Sequence, residues 1–281
     1  MRSIPFQEFK KIYAKKVEAI YKYWTREMQE EMSSHCSGWD PSLFDMRTYL
    51  EASVVRYHTA YCGIAEQGEG LTLCDVGGFW GVFPITLREL GYEVTLTESL
   101  EYYGTSFQGL FDYIRTKGVK IVDYDPFKPG PAPDQYDMVT VMAVLEHYPH
   151  SLKVFMTNMN SMMQPTGGLY IEVPNIAYWP KRMNLLWGRT PLVDLESIYK
   201  SKAPFIGHHH EFTVSELRVL AELSNMEIIR EFYYTYSVEG GICKRFLRYP
   251  LETTVQTIWP NTRECLAILC RKKNPVVEKN D

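Results

Sequence analysis

The stretch Leu71–Ser99 constrains the fold of this chain most, because it reads in order as a strand, a glycine-rich turn, a helix and a second strand. Residues 71–74 are an apolar run closed by an aspartate, and residues 82–90 carry apolar side chains at helical spacing. A glycine then ends the helix, and residues 93–98 alternate as a strand does. The sequence therefore predicts a βαβ unit of the size that forms half of a nucleotide site.

The turn of this βαβ unit is rich in glycine, at Gly77, Gly78 and Gly81. Glycine lets the backbone approach a ligand closely because it has no Cβ, and the helix that follows directs its positive end into the turn. Glu98 ends the second strand, where an acid is placed to accept two ribose hydroxyls. The turn reads G-G-F-W-G rather than G-x-G-x-x-G, which disfavours an NAD-linked oxidoreductase.

Composition and charge argue against several classes of protein. The chain has 281 residues and a net charge of −4, whereas a general nucleic-acid binder would usually be basic. It has no apolar run of the roughly 18 residues that a membrane span needs, so we expect no such span. The N-terminus lacks the apolar core of a signal peptide, and the cysteines form no C-x-x-C pair. We therefore expect reduced thiols and a cytoplasmic protein.

The chain divides into two predicted regions. Residues 1–68 carry apolar side chains three or four positions apart, which predicts a long helix to about residue 34 and a second helix over 42–65. We expect this extension to form a lid on the main domain or to join two copies in a homo-oligomer. Residues 69–281 alternate between strand and helix patterns, with a helix expected over 101–117 and insertions at 175–212 and 238–264. They predict an α/β fold with a Rossmann-like, seven-stranded, mostly parallel sheet, helices on both faces and cap insertions.

Four segments of the chain resemble the class I family of methyltransferases that depend on S-adenosylmethionine (SAM). The glycine turn is similar to the family's motif I, D-x-G-x-G-x-G, with Asp75, Gly77 and Gly81 matched and Phe79 in place of the middle glycine. QYDMVTVMAVLEHYPH (135–150) and MMQPTGGLYIEVPN (162–175) resemble its fourth and fifth strands. FIGHHHEFTVSEL (205–217) is similar to a segment of a subgroup that includes bacterial enzymes acting on sugars and small natural products.

This resemblance implies that the chain binds SAM and releases S-adenosylhomocysteine. It implies that the methionine part of SAM is surrounded by residues that follow the first strand, namely Asp75, Gly77, Gly78 and Gly81. Glu98 would hold the ribose, and either Asp125 or Asp123 would accept from the adenine amino group. The sequence does not decide between these two aspartates.

Histidines are the candidate catalytic residues. A hydroxyl acceptor benefits from a positioned base, and histidine titrates near neutral pH. His147 follows the fourth predicted strand, at the edge where open α/β sheets bind ligands. The alternatives are that His147 only holds its loop and that Glu146 points inward instead. His209 and His210, in the run 208–210, are the other candidates.

A metal site is the competing interpretation of this histidine run. His208 and His210 would face the same way in an extended chain, and Glu211 beside them adds a carboxylate. Three adjacent residues rarely complete a metal site alone, so we predict that the protein holds no metal.

The aromatic and basic character of residues 175–212 bears on the acceptor. Aromatic side chains suit sugars and positive charge suits an anionic group, so we predict O-methylation of a small hydroxylated molecule: a sugar, nucleotide sugar or natural product, with a histidine as base. Carbon or nitrogen as the methyl acceptor remains an alternative. A non-catalytic scaffold with the same fold is another, because Phe79 replaces a motif glycine and the N-terminal extension is large.

Overall fold

The structure is a computed structural model that describes residues 3–35, 45–149, 151–201, 205, 207–237 and 242–273. Residues 36–41, where the sequence predicts a break between the two N-terminal helices, lie outside these ranges, as do parts of both predicted insertions. No helix in the described ranges has the length and apolarity that crossing a membrane requires.

The N-terminal extension consists of four helices: α1 (Phe6–Tyr21), α2 (Arg26–His35), α3 (Met46–Ala52) and α4 (Val54–Ala65). The prediction of one long helix to about residue 34 is wrong, because the chain turns between α1 and α2. Thr25 begins α2 there, and its hydroxyl accepts from the Met28 amide at 3.2 Å. The predicted helix over 42–65 is likewise divided, at Ser53, whose hydroxyl donates to the Tyr49 carbonyl at 2.8 Å.

A single seven-stranded sheet forms the centre of the molecule, which confirms the predicted fold class. The strands lie in the order β3-β2-β1-β4-β5-β7-β6, and β7 runs antiparallel to both of its neighbours. Their bounds are β1 (Thr72–Val76), β2 (Glu93–Glu98), β3 (Lys120–Asp123), β4 (Tyr136–Met142), β5 (Met163–Pro174), β6 (Met226–Tyr234) and β7 (Cys265–Lys272). The order reverses between β1 and β4, and open α/β sheets bind ligands at such a switch point.

Helices cover both faces of this sheet. The helices after β1 are α5 (Val82–Glu89), α6 (Gln108–Thr116), α7 (Leu152–Met162), α8 (Trp179–Leu186), α9 (Leu195–Lys200), α10 (Val214–Leu223), α11 (Ile242–Arg248) and α12 (Pro250–Ile258), of which α8 and α9 bury no residue. The expected helix over 101–117 is shorter, since 3₁₀ turns at 100–102 and 105–107 precede α6. Thr213 and Glu216 form the complete capping box of α10.

The N-terminal helices share one hydrophobic core with the sheet. Phe9, Tyr13, Val17 and Ile20 on α1 are buried in the same cluster as Phe83 on α5. A second cluster, on the other face, includes the buried residues of α7 and α10. The apolar stripe of α1 is therefore covered by its own chain, while a role for these helices in a homo-oligomer stays a prediction. The predicted boundary at residue 68 falls between α4 and β1, and the division into domains also stays a prediction.

Candidate active site

The loop between β1 and α5 is too tight for side chains at its first glycines. Gly77 and Gly81 have φ values of 66° and 67°, in the left-handed region that favours glycine. A Cβ on Gly78 would lie 2.3 Å from Oδ2 of Asp75, and one on Gly77 would lie 2.7 Å from a methyl carbon of Val144. The loop therefore packs so closely on the Asp75 and Val144 side chains that neither position accepts a side chain.

Asp75 lies buried beneath the glycine loop. Its Oδ1 accepts a hydrogen bond from the Thr140 hydroxyl at 2.6 Å. Burial raises the pKa of Asp75 to about 7, and the Thr140 hydrogen bond opposes this rise only in part. The carboxylate thus joins β1 to β4 at the switch point of the sheet.

Glu98 ends β2 as the sequence predicts, and its side chain is buried. Its Oε2 accepts from the Tyr103 hydroxyl at 3.0 Å, whereas its buried Oε1 has no hydrogen-bond partner among the described residues. Burial raises the pKa of Glu98 to about 7, against the lowering effect of the Tyr103 hydrogen bond. An unpaired buried carboxylate oxygen is costly, so a donor from a ligand would be favoured here.

The crevice beside Glu98 is narrow and lined by aromatic rings, those of Phe79, Trp80, Tyr103, Phe107 and Phe111. Phe79 stands at the position of the missing motif glycine, and its ring contacts Trp80 edge-on at a centroid distance of 4.9 Å. Trp80 in turn contacts Trp24, which precedes α2, at 4.8 Å. The N-terminal extension therefore packs directly against the glycine loop.

Asp123 and Asp125 lie at the same edge of the sheet, and both bind backbone amides. Asp123 pairs with Glu98 in the register of β2 and β3, and its Oδ1 accepts from the Leu100 amide at 3.0 Å. Asp125 accepts from the Phe127 amide at 2.9 Å and forms an ion pair with Lys128 at 3.1 Å. Both hold loops beside the crevice, so the choice left open by the sequence stays open.

Glu146 and His147 form a 3₁₀ turn directly after β4. Burial, with Glu172 nearby, raises the pKa of Glu146 to about 8. Burial also lowers the pKa of His147 to about 4, and His208 adds to this because two cations would repel each other. Nδ1 of His147 is buried and has no partner among the described residues. Burial and the neighbouring His208 therefore favour the neutral form of His147, in which one ring nitrogen carries a lone pair that can accept a proton.

The backbone of the histidine run, residues 208–210, forms hydrogen bonds to this turn. The amides of His209 and His210 donate to the Glu146 carbonyl at 2.7 and 3.3 Å. His208 alone of the three brings its ring to His147, at a centroid distance of 4.9 Å. It bonds through Nδ1 to Oε1 of Glu211 at 2.9 Å. The metal alternative considered from the sequence paired His208 with His210, whereas the structure pairs it with His147.

His209 and His210 are exposed, and their rings have other partners. Nε2 of His209 bonds to the Phe205 carbonyl at 3.0 Å, and Nε2 of His210 bonds to Glu216 at 3.1 Å. Both line a cavity of about 550 Å³ between the turn after β4 and α10, together with Tyr148, Phe212 and Leu220. None of the cofactor-binding candidates lines this cavity.

Two residues beneath the site were not singled out from the sequence. Arg56 on α4 and Glu172 on β5 form a buried ion pair, with Nε and Oε2 3.1 Å apart. Arg56 also lies over the Tyr236 ring at 4.8 Å. An arginine within an apolar-periodic helix was the available signal, because a buried charge requires a partner.

The fold and the glycine loop define the class of protein. A sheet that reverses its order beside a glycine turn, with a buried acid at the end of β2, is a Rossmann-like nucleotide-binding architecture. The model of a methyltransferase-domain family matches residues 45–231. The chain belongs to the class I SAM-dependent methyltransferase family, so it is an enzyme with SAM as methyl donor and S-adenosylhomocysteine as product.

Solved structures share this fold at low sequence identity. A putative sarcosine dimethylglycine methyltransferase from Galdieria sulphuraria is 13% identical, with a TM-score of 0.52 over 82% of this chain and 92% of its own. A putative methyltransferase in complex with the Haloferax volcanii methyltransferase activator is 14% identical, with a TM-score of 0.53 over 82% and 95%. A protein from Pyrococcus horikoshii is 14% identical, with a TM-score of 0.53 over 83% and 96%. No curated protein sequence matches the chain significantly.

The residues beside the glycine loop fit SAM on structural grounds. The unpaired Oε1 of Glu98 suits a ribose hydroxyl, and a Cβ added at Gly77 or Gly78 would collide with the side chain of Val144 or Asp75. The Tyr103 hydroxyl already donates a hydrogen bond to Oε2 of Glu98, and aromatic rings narrow the crevice. We therefore expect the Phe79 and Tyr103 side chains to move when a nucleoside enters.

Proposed function

We propose that this enzyme transfers the methyl group of SAM to a hydroxyl oxygen of a small acceptor, such as a sugar, nucleotide sugar or natural product. The observation that carries the proposal is the buried, unpartnered Nδ1 of His147 at the carboxyl end of β4. A base in that position can accept the proton of a hydroxyl as the oxygen attacks. Nitrogen or carbon as the acceptor atom is the alternative.

The cofactor is held, in this proposal, by the residues around the glycine loop. The methionine part lies among Asp75, Gly77, Gly78 and Gly81, and Glu98 accepts from the ribose hydroxyls. Asp123 or Asp125 accepts from the adenine amino group. Bound SAM supplies a methyl group on a positively charged sulfur, which makes that carbon electrophilic.

The chain's own residues then contribute position and proton transfer. Nδ1 of His147 would accept the proton of the acceptor hydroxyl, and bound SAM would supply the methyl group that replaces this proton on oxygen. Alignment of oxygen, carbon and sulfur contributes roughly 7–11 kcal/mol in such reactions. A positioned base raises the rate by about 10²–10⁴-fold.

The cavity lined by His209 and His210 supports a small acceptor. Its volume of about 550 Å³ lies in the range of small-molecule pockets. The cavity is lined by Tyr148, which follows His147 in the chain, and by His209 and His210, which follow His208, while the His147 and His208 rings themselves are not part of its lining. In this proposal His209 and His210 contact the acceptor, and an anionic group on the acceptor remains an expectation from the basic insertion.

The cellular setting belongs to the same proposal. Cys62, Cys74, Cys243, Cys265 and Cys270 are free in the described part of the chain, which fits a reducing compartment. We accordingly propose that the enzyme acts in the cytoplasm, where we expect neither nucleic acid nor a membrane as its partner.

The test uses paired acceptors. Purified enzyme is incubated with SAM and either a nucleotide sugar or the matching amino sugar nucleotide, and products are analysed by fragment mass spectrometry. We expect a gain of about 14 daltons on a hydroxyl-bearing fragment of both acceptors. Methylation confined to the amino group, or absent from every hydroxylated acceptor in a broad panel while SAM binds, would overturn O-methylation.

A further inference from the structure

Three side chains from two separate segments converge beside the carboxyl end of β4. Glu146 and His147 come from the turn after that strand, and His208 comes from the segment before α10. Their possible ligand atoms all lie within 4.8 Å of one another. Oε1 of Glu146 and Nε2 of His208 are 3.9 Å apart, a separation that one cation between them can bridge.

Two of these groups are buried with atoms that nothing in the described chain satisfies. Oε2 of Glu146 and Nδ1 of His147 each lack a hydrogen-bond partner. Glu146 is almost completely buried, with 1% of its surface exposed. Buried polar atoms normally have a hydrogen-bond partner. A carboxylate oxygen and a ring nitrogen that both lack one, side by side, indicate a site for a ligand that accepts electron pairs.

The third group is oriented by a neighbouring carboxylate. Nδ1 of His208 bonds to Oε1 of Glu211 at 2.9 Å, and the other oxygen of Glu211 bonds to Lys181. A carboxylate that accepts from one ring nitrogen fixes the tautomer and leaves the opposite nitrogen free for a metal. The Glu211 contact therefore directs the lone pair of Nε2 on His208 toward Glu146 and His147.

We infer that Glu146, His147 and His208 bind one divalent transition-metal cation of the zinc type. Two imidazoles and one carboxylate, with a further position open, are the ligand set of catalytic zinc sites. Magnesium and calcium prefer sites built from oxygen alone, so the two ring nitrogens select against them. The set differs from the one considered in the sequence, because His147 replaces His210 and Glu146 replaces Glu211.

The chemical use of this cation rests on the proposed function, although its binding does not. A hydroxyl that enters the open position would bind the cation through oxygen, and its pKa would fall. Its proton would then leave to water, and His147 would serve as a ligand rather than as the base. In the metal-free enzyme His147 would accept the hydroxyl proton, whereas in the metal-bound enzyme water would accept it.

The experiment measures zinc affinity in the full chain. Protein stripped with a chelator is titrated with Zn²⁺ in competition with a chromophoric chelator, and Co²⁺ is added separately to read the coordination from its visible spectrum. We expect one site per chain, weakened at least tenfold in His208→Ala and in Glu146→Gln. We expect Glu211→Gln, which replaces the carboxylate that orients His208 by a neutral amide and also removes its ion pair with Lys181, to weaken binding about 10–100-fold.

His210→Ala is the matched control. This residue also bonds to a carboxylate, Glu216 at 3.1 Å, but it lies outside the cluster. Its zinc affinity should equal that of the unsubstituted chain. Equal affinity in all the variants, or no zinc binding in the unsubstituted chain, overturns the inference. If Glu146→Gln does not fold, His208→Ala decides the test, because His208 is partly exposed and its replacement is tolerated more easily.

The two proposals fail in different ways. Zinc binding with the expected pattern, but no methylated hydroxyl with any acceptor, overturns the proposed function and leaves the metal site standing. Full hydroxyl methylation in the presence of a strong chelator, by a chain that binds no zinc, overturns the metal site and leaves the proposed function standing.

Discussion

Arg56 and Glu172 form an ion pair inside the protein, with Nε and Oε2 separated by 3.1 Å and both side chains almost fully buried. Arg56 belongs to α4 and Glu172 to β5, so the pair joins the N-terminal extension to the centre of the sheet. Glu172 also acts on the pKa of Glu146, which the nearby negative charge helps to raise. The extension is therefore connected electrostatically to the turn that carries His147.

Removing the positive member of this pair should destabilise the protein strongly. Arg56→Leu leaves Glu172 buried and unpaired, and the loss of one partner from a buried pair costs about 3–5 kcal/mol. We expect that decrease in the free energy of unfolding, measured by urea denaturation. Arg230→Ala is the control, because its pair with Glu66 likewise joins the N-terminal extension to the sheet, from the end of α4 to β6, but is about half exposed; this change should cost about 0–1 kcal/mol. Equal losses in the two variants would contradict a buried, structural role for Arg56.

Gly77 in the glycine loop can be compared with Gly70, which precedes β1 and has a similar φ angle. Gly77 and Gly70 have φ values of 66° and 63°, but an added Cβ would meet Val144 at 2.7 Å in the first case and nothing within 4 Å in the second. Both Gly→Ala changes should pay about 1–2 kcal/mol for the left-handed conformation. Gly77→Ala should lose about 1–3 kcal/mol more through overpacking, and it alone should weaken SAM binding. Thermal unfolding and calorimetry measure the two effects, and indistinguishable variants would contradict the close approach at Gly77.

Glu98 should account for much of the SAM affinity. Glu98→Gln replaces a charged acceptor by a neutral amide, and a hydrogen bond to a charged group contributes about 1.5–3 kcal/mol. We expect SAM to bind roughly 10–100-fold more weakly, as measured by isothermal titration calorimetry. Glu93→Gln changes the exposed acid at the other end of the same strand and should leave the affinity unchanged. A Glu98→Gln protein that binds SAM normally would show that the ribose lies elsewhere.

The parts of the fold that follow local sequence patterns could be predicted. The βαβ unit, the apolar β4 and the capping box of α10 each depend on residues close together in the chain, and each is present in the structure. The division of the N-terminal helices was missed, because hydrophobic spacing continues through residues 22–25 while Thr25 begins a new helix. Periodicity reports a buried face and does not reveal a cap within it.

Only those parts of the candidate site that depend on residues close together in the sequence could be predicted. Glu98 stands at the end of β2 because the alternating pattern fixed that strand. The pairing of His208 with His147, by contrast, depends on how the segment before α10 docks on the turn after β4, a contact between residues far apart in the chain. The same holds for Arg56 and Glu172, since no local pattern identifies the partner of a buried charge.

The affinity for SAM should depend on pH through Glu98. Its pKa is raised from 4.5 to about 7 by burial, so the ligand-free protein retains a proton at pH 6 that the unfolded chain has released. Ribose hydroxyls donate to the ionised carboxylate, so SAM binding must expel this proton. We therefore expect the affinity for SAM to rise by up to tenfold per pH unit below about pH 7 and to level off above that value.

The unfolding free energy of the ligand-free protein should show the opposite trend. The native state binds the extra proton between pH 4.5 and about 7, so the contribution of Glu98 to stability falls as the pH rises through that window. Calorimetric titrations at several pH values, together with urea denaturation at the same values, measure both trends. Glu98→Gln should reduce both slopes, and what remains should reflect Asp75, whose pKa burial also raises to about 7. Slopes that are unchanged in Glu98→Gln would assign the proton to another group and would separate Glu98 from cofactor binding.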